Sequence, residues 1–253
     1  MSLRRNPTTN NMLYIATVFV LCLLCAAIMS GCNIFRHSSS YSGNATGPAP
    51  STQQLLSAFK KQFHSVKSLH VTMQTQNPGP ADPKQTQVLD VDGDVVMPDE
   101  VKAQATVLLS GQNVQVGLIS INGNQYVTDP VTGQWRVMNG VLNPSTLTNP
   151  DTGIVSILNK VQNLSQPVAG NANGTPCWSV NGTLDAQSLA FLTGGGAPAG
   201  SQLQVSACFG ENDSLPYHIS IVGEAAQGDT PQTSRTFDLS KYNEQITITA
   251  PQA

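Results

Sequence analysis

A cysteine that follows an apolar N-terminal segment is the residue with the clearest setting for covalent chemistry. Cys32 comes after Arg4, Arg5 and a run that is apolar almost throughout residues 12–29. A positive segment, an apolar segment and small residues before a cleavage point are typical of a secretory signal peptide. We expect residues 1–31 to be removed and the Cys32 thiol to carry a diacylglycerol. The alternative is an uncleaved membrane anchor, because about eighteen apolar residues approach the length that spans a bilayer.

Two further cysteines, Cys177 and Cys208, follow Cys32 in the chain. An even pair of cysteines in an oxidising compartment suggests a disulfide. Polar and apolar side chains alternate over residues 177–184 and 202–209, and both cysteines fall on the polar faces. If these strands pair antiparallel with Cys177 opposite Cys208, the apolar faces also coincide and a cross-strand bridge is feasible. We predict this disulfide; the alternative is two isolated thiols.

Patterns for catalysis or metal binding are scarce. His64, His70 and His218 lie in ordinary helix or strand patterns without the partner spacing of a metal site. Neither a G-x-S-x-G nor an H-E-x-x-H motif occurs. Residues 90–94 superficially resemble a calcium loop, but the glycine is early and Val101 replaces the twelfth-position glutamate, so we interpret them as a charged hairpin turn. The sequence therefore predicts no enzyme, no metal site and no cofactor.

Charge and composition divide the chain into three parts. Loss of residues 1–31 leaves ten basic and fifteen acidic residues, a formal charge of −5, and nucleic acid is therefore not an expected partner. Residues 32–51 are rich in Ser, Gly, Pro and Asn, which predicts a flexible tether. Residues 52–253 are long enough for one domain with a substantial core.

Helical spacing of apolar residues predicts three helices in this domain. The first covers residues 52–65, with Ser51 as its N-cap. The second begins after Asp151 and extends to Val161, and the third covers residues 185–192.

Most other apolar residues fall in short alternating runs typical of antiparallel strands with one apolar face. Asp92-Gly93, Asn122-Gly123 and Thr132-Gly133 separate such runs and are predicted reversals, because glycine tolerates positive φ. The composition and these runs predict a β-rich secreted domain of the α+β class.

Several short motifs occur in a characteristic order between residues 52 and 251. They are Val66-Lys67-Ser68-Leu69-His70, Gly93-Asp94-Val95, Ile121-Asn122-Gly123-Asn124-Gln125-Tyr126, Trp135, Asn149-Pro150-Asp151-Thr152-Gly153-Ile154, Val180-Asn181-Gly182-Thr183-Leu184-Asp185-Ala186, and Ser240-Lys241-Tyr242 with a C-terminal strand over residues 246–251. Together they resemble the LppX/LprA/LprF/LprG family of actinobacterial envelope lipoproteins. Tyr242 stands where that family usually has Trp, and the cysteine pair is an addition.

The resemblance implies a strongly curved antiparallel sheet, a half-barrel similar to the LolA and LolB carriers, with helices on its concave face and an apolar cavity. It also implies binding of acylated lipids or glycolipids, which the protein carries or presents in the cell envelope. We expect a lipid-anchored monomer at the extracytoplasmic face of the cell membrane, with a membrane lipid transporter as a partner. The alternative is an extracytoplasmic sensor or interaction module on the same fold without lipid transfer.

An apolar cavity would bind lipid without any catalytic group, because each buried methylene contributes roughly 0.8 kcal/mol. For any one apolar residue, packing against a helix explains its position at least as well as lining a cavity. The candidate lining residues are Leu69, Val71, Met73, Val101, Ala105, Val107, Val114, Val116, Leu118, Trp178, Val180, Leu203, Val205, Ile219 and Ile221.

Overall fold

The fold is built on one antiparallel sheet of eleven strands, accompanied by short helices. This computed structural model describes residues 43–80, 86–141, 144, 149, 154–193 and 196–252. Cys32, the predicted signal peptide and Asp151 lie outside the described residues. The predicted α+β class is confirmed, whereas the placement of helices on a concave face stays a prediction.

In the described residues the helices are α1 (Thr52–Phe63), α2 (Ile154–Leu158) and α3 (Ala190–Thr193), and a 3-10 helix (Ala186–Leu189) precedes α3. The strands are β1 (Ser68–Gln76), β2 (Thr86–Val96), β3 (Glu100–Leu109), β4 (Gln112–Ile121), β5 (Asn124–Thr128), β6 (Trp135–Val137), β7 (Val168–Ala172), β8 (Thr175–Asp185), β9 (Gln202–Gly210), β10 (Pro216–Val222) and β11 (Ser234–Ser240). Their order across the sheet is β6-β5-β4-β3-β2-β1-β11-β10-β9-β8-β7. Two meanders therefore join where β1 pairs with β11, and the sheet does not close.

Strand alternation gives the sheet an apolar face and a polar face, and the register aligns the apolar residues of neighbouring strands. A continuous apolar row crosses eight strands from β8 to β4. Its members are Val180, Ala207, Ile219, Phe237, Met73, Val91, Ala105 and Val116.

Helix α1 packs on the apolar face. Ser51 caps it as predicted, in a capping box with Gln54. Its buried residues Leu55, Phe59 and Phe63 join the main core cluster, and the rings of Phe59 and Phe209 lie 5.4 Å apart. The helix ends two residues before the predicted boundary.

The predicted reversal at Asp92-Gly93 is wrong, because both residues lie inside β2. A Cβ added at Gly93 would lie 2.8 Å from the Cβ of Ala103 on β3, so close packing on the apolar face explains the glycine. The interpretation of residues 90–94 as a hairpin turn is wrong for the same reason. The reversals at Asn122-Gly123 and Thr132-Gly133 are confirmed, with glycine φ of +74° and +69°.

The second and third predicted helices are shorter or less regular than expected. Helix α2 ends at Leu158, before Val161, and the chain then pairs with β8 through reciprocal backbone hydrogen bonds between Gln162 and Thr183. The third, predicted to begin at Asp185, begins one residue later because Asp185 is its N-cap, and its first turn is a 3-10 helix. Within the described part of the chain, no helix has the length and apolar character to cross a membrane.

The predicted disulfide between Cys177 and Cys208 is present, with Cα atoms 5.5 Å apart. The predicted register is wrong by two residues: Cys177 lies opposite Gly210, and Cys208 opposite Ser179. A shift of two residues keeps every side chain on its face, because strands repeat every second residue. Alternation could therefore predict that the cysteines share a face, but not that they are diagonal neighbours.

Two segments outside the regular elements pack against the sheet. Ala45 is buried and donates its backbone N–H to the Gly170 carbonyl of β7, so part of the predicted tether contacts the domain. Near the C-terminus, Ile246 and Ile248 pack beside Trp135 on the polar face. Residues 246–251 form no regular strand here, which corrects the expectation of a C-terminal strand.

Candidate functional site

The apolar face of the sheet is the candidate site, because all fifteen predicted lining residues lie on it by strand alternation and register. They occupy three different environments on that face. Beneath α1 lie Leu69, Val101, Trp178 and Val180 in the main cluster, with Val71 and Ile219 packed against it. Beneath the 3-10 helix lie Leu203 in a second cluster and Val205 and Ile221 packed against it. On the β1–β4 half, Met73 and Val107 are buried, and Ala105, Val114, Val116 and Leu118 are half-buried.

The half-buried group leaves the β3–β4 part of the apolar face partly accessible to a ligand. Two other members of the apolar row are also half-buried. Val91 lies between Met73 and Ala105, and Phe237 lies between Met73 and Ile219. Residues of this type gain free energy when a ligand removes their remaining surface from water.

A small apolar pocket separates α1 from β8 and β9. It is lined by Leu56 of α1, by Leu158, Val161 and Leu164 of the chain around and after α2, and by the strand residues Val180, Asn181, Gly182, Val205 and Ala207. Its volume is about 10 Å³, room for about one water and not for an acyl chain. A hydrocarbon tail would therefore enter between α1 and the sheet only if α1 or the chain after α2 moved.

Arg235 places a charge on the apolar face, next to Ile221 and Thr75 on the neighbouring strands. Its guanidinium donates to both carboxylate oxygens of Asp229, at 2.7 and 2.8 Å. Asp229 also accepts the backbone N–H groups of Ala225 and Ala226, so the charge is fully compensated. Sequence reasoning missed this pair, although Arg235 alternates with Phe237 in the printed sequence.

The histidines of the sheet pair with carboxylates on the polar face. His70 Nδ1 lies 2.8 Å from Asp94, and His218 Nδ1 lies 2.7 Å from Asp238. No cluster of three or more His, Cys, Asp or Glu side chains suited to a metal ion occurs in the described ranges. These two histidine–carboxylate pairs join neighbouring strands, and neither is arranged to bind a metal ion.

Two tyrosines stabilise the bulged end of β10. Tyr242 donates its hydroxyl to the Pro216 carbonyl, and burial raises the pKa of its phenol well above the usual value. Burial, with a hydrogen bond to Asp213, also raises the pKa of Tyr217 to about 12. Both phenols therefore stay protonated at neutral pH and have a structural role.

Sequence comparison relates this chain to a known family of lipoproteins. The model of the LppX_LprAFG lipoprotein family matches residues 51–248. The lipoarabinomannan carrier protein LprG of Mycolicibacterium smegmatis is 25% identical over 249 residues, which cover 94% of this chain and 97% of that protein. LprG of Mycobacterium tuberculosis H37Rv is 21% identical over 233 residues, 90% of this chain and 91% of that protein.

Two solved structures share the fold. LprF from Mycobacterium bovis superposes with a TM-score of 0.59 at 20% identity, over 81% of this chain and the whole of that one. LppX from Mycobacterium tuberculosis superposes with a TM-score of 0.55 at 21% identity, over 78% of this chain and the whole of that one. Because the family match runs from the α1 cap to the C-terminal segment, this chain belongs to the LppX_LprAFG lipoprotein family.

Proposed function

We propose that this protein is a lipoprotein, anchored through Cys32 at the extracytoplasmic face of the cell membrane, that binds acylated lipids or glycolipids against its apolar face. It carries or presents them in the envelope as a monomer and exchanges them with a membrane lipid transporter. The observation that supports this most is the apolar row, which continues without a polar residue across eight strands. The names of the LprG relatives, which are lipoarabinomannan carriers, support a lipid-linked glycan as the ligand class.

Burial of the acyl chain on the apolar face would by itself supply the free energy of such binding. Ten methylenes of an acyl chain would contribute about 8 kcal/mol when removed from water. Part of that free energy would offset the separation of Leu56 and its neighbours on α1 from Val180 and Ala207. A carrier also has to release its ligand, and partial compensation of this kind keeps binding reversible.

Native mass spectrometry of the chain from residue 33 tests the proposal. We expect acyl lipids to co-purify with it, and Val116→Trp to reduce the loaded fraction, because the indole would occupy space on the open half of the apolar face. Val168→Trp is the matched control, since Val168 is 63% exposed and lies on the polar face of β7. Unchanged loading in both Val116→Trp and Ala105→Trp would contradict lipid binding on the β3–β4 part of the apolar face, and absence of acyl lipid from the unmutated protein would contradict the lipid-binding model.

The small pocket favours the alternative of an interaction module that needs no lipid. A volume of about 10 Å³ between α1 and the sheet is typical of a packed interior. That alternative predicts no co-purifying lipid in the unmutated protein, so the same measurement separates the two functions.

A further inference from the structure

The polar face of the sheet carries a second depression, on the side opposite the proposed lipid surface. It lies over β1 to β4 and has a volume of about 220 Å³. Three glutamine side chains, Gln74, Gln104 and Gln115, border it together with polar residues of the neighbouring strands, and Met73 and Val91 of the apolar row also contribute to its lining. The roles proposed so far for the lipid anchor, the apolar face and the disulfide do not explain this depression.

The register arranges these side chains as a grid of hydrogen-bonding groups. Thr72, Asp92 and Gln104 lie side by side in one cross-strand row. Gln74, Asp90, Thr106 and Gln115 form the next row. Neighbouring strands are about 4.8 Å apart, so each row offers a donor or an acceptor at roughly that interval.

The chemistry of the lining favours a neutral ligand with many hydroxyl groups. Among the described residues that line the depression there is no lysine or arginine, and Asp90 and Asp92 would repel an anion. A simple cation needs only acceptors, whereas the glutamine amides also present N–H donors. Gln115 donates its amide N–H to the Thr106 hydroxyl at 2.8 Å, so its carbonyl oxygen is the atom that would accept a hydrogen bond from a ligand hydroxyl.

An indole ring lies at the border of this grid. Trp135 covers Gly117, where an added Cβ would meet the ring at 2.8 Å. Gly117 lies opposite Gln104 and two residues from Gln115 on β4, so the half-buried ring lies next to the lined area without being part of its lining. Glycine inside a strand often marks such a close approach. An apolar ring beside convergent polar groups suits the mixed surface of a sugar.

We propose that this depression binds a neutral oligosaccharide, with Gln104, Gln115 and Asp92 as hydrogen-bonding residues and Trp135 as the aromatic surface. At about 220 Å³ it is smaller than the roughly 300 Å³ at which drug-sized sites begin, so it holds one or two sugar units of a longer chain. The inference deepens the proposed function and rests on it only where the sugar belongs to a bound glycolipid.

Calorimetric titration of the chain from residue 33 with short acyl-free manno-, arabino- and malto-oligosaccharides tests the site. We expect at least one of them to bind, and Gln104→Ala to weaken that binding about three- to tenfold, the effect of losing one or two neutral hydrogen bonds. Gln204→Ala is the matched control, because Gln204 is an exposed glutamine on the polar face of β9, away from the depression. Absence of oligosaccharide binding in the unmutated protein, or equal weakening by both variants, would overturn the proposal. Binding of the polycation spermidine without binding of any oligosaccharide would also overturn it.

A second titration with an acylated glycolipid identifies the source of the sugar. Weakening by both Gln104→Ala and Val116→Trp supports the glycan of the bound lipid as the occupant. Binding of acyl-free oligosaccharide that only Gln104→Ala weakens supports a separate polysaccharide. If the protein binds oligosaccharide but carries no acyl lipid, the lipid-carrier proposal is contradicted and the oligosaccharide site is supported. If it carries acyl lipid but binds no oligosaccharide, the oligosaccharide site is contradicted and the lipid-carrier proposal is supported.

Discussion

At the scale of single residues, the charged pair on the apolar face decides how the β10–β11 connection is held. The Asp229 side chain is 3% exposed and accepts hydrogen bonds from two backbone amides of that connection, while Arg235 belongs to β11 and its side chain is 17% exposed. The ion pair therefore attaches the connection to the sheet. Burial of both charges is tolerated because each has a partner with good geometry.

We predict that Arg235→Met destabilises the protein by about 3 kcal/mol, because it leaves the Asp229 carboxylate buried with only its backbone partners. The free energy of unfolding in urea measures this. Arg136→Met is the control, since Arg136 is 60% exposed and its pair with Asp129 should be worth less than about 1 kcal/mol. Equal losses in the two variants would show that the buried pair has no special role.

Single residues also show what the sequence could predict about this molecule. The Cys177–Cys208 bridge was predictable from the even number of cysteines and from face parity, because parity survives an error of two residues in register. The role of Gly93 was not predictable, because the pair Asp92-Gly93 resembles a turn until the contact with Ala103 on the next strand is known. Arg235 was missed for a similar reason: the residue that compensates it lies in a connection with no periodic pattern.

At the scale of elements, α1 is the helix that local sequence specifies most fully. Apolar spacing sets its buried side, and Ser51 and Gln54 set its start through reciprocal side-chain to backbone bonds. Its end is set by tertiary contacts, because Val66 leaves the helix to join the main cluster. That explains why the predicted start is correct and the predicted end is two residues late.

We predict that Ser51→Ala lowers the free energy of unfolding by about 1 kcal/mol, since the N–H of Gln54 loses its acceptor. Thermal and urea unfolding of the same preparation measure the change. Ser57→Ala, an exposed serine within α1, should be neutral or slightly stabilising because alanine favours the helix. A loss of similar size in Ser57→Ala would argue against a capping effect.

At the scale of the whole molecule, the long-range pairing of β1 with β11 creates the surface that the proposed function requires. It joins two meanders whose apolar residues are each predictable from alternation, and it turns two short apolar patches into one continuous row. Alternation cannot specify which strands become neighbours, so the row itself was beyond sequence reasoning. The size of the pocket beneath α1 could not be predicted from the sequence either, because it depends on how closely the helix packs on the sheet.

The size of that pocket makes a distinct prediction about how lipid enters. With only about 10 Å³ between Leu56 and the strands, an acyl chain beneath α1 would have to displace the helix from the sheet. We therefore expect hydrogen exchange of the amides in α1 to become faster when the delipidated protein is loaded with lipid, as its packing on Phe209 weakens. Amides of β9 and β10, whose partners are neighbouring strands, serve as the internal control and should be unchanged. Unchanged exchange in α1, together with slower exchange in β2 to β4, would place the lipid on the open half of the apolar face instead and leave α1 a fixed part of the core.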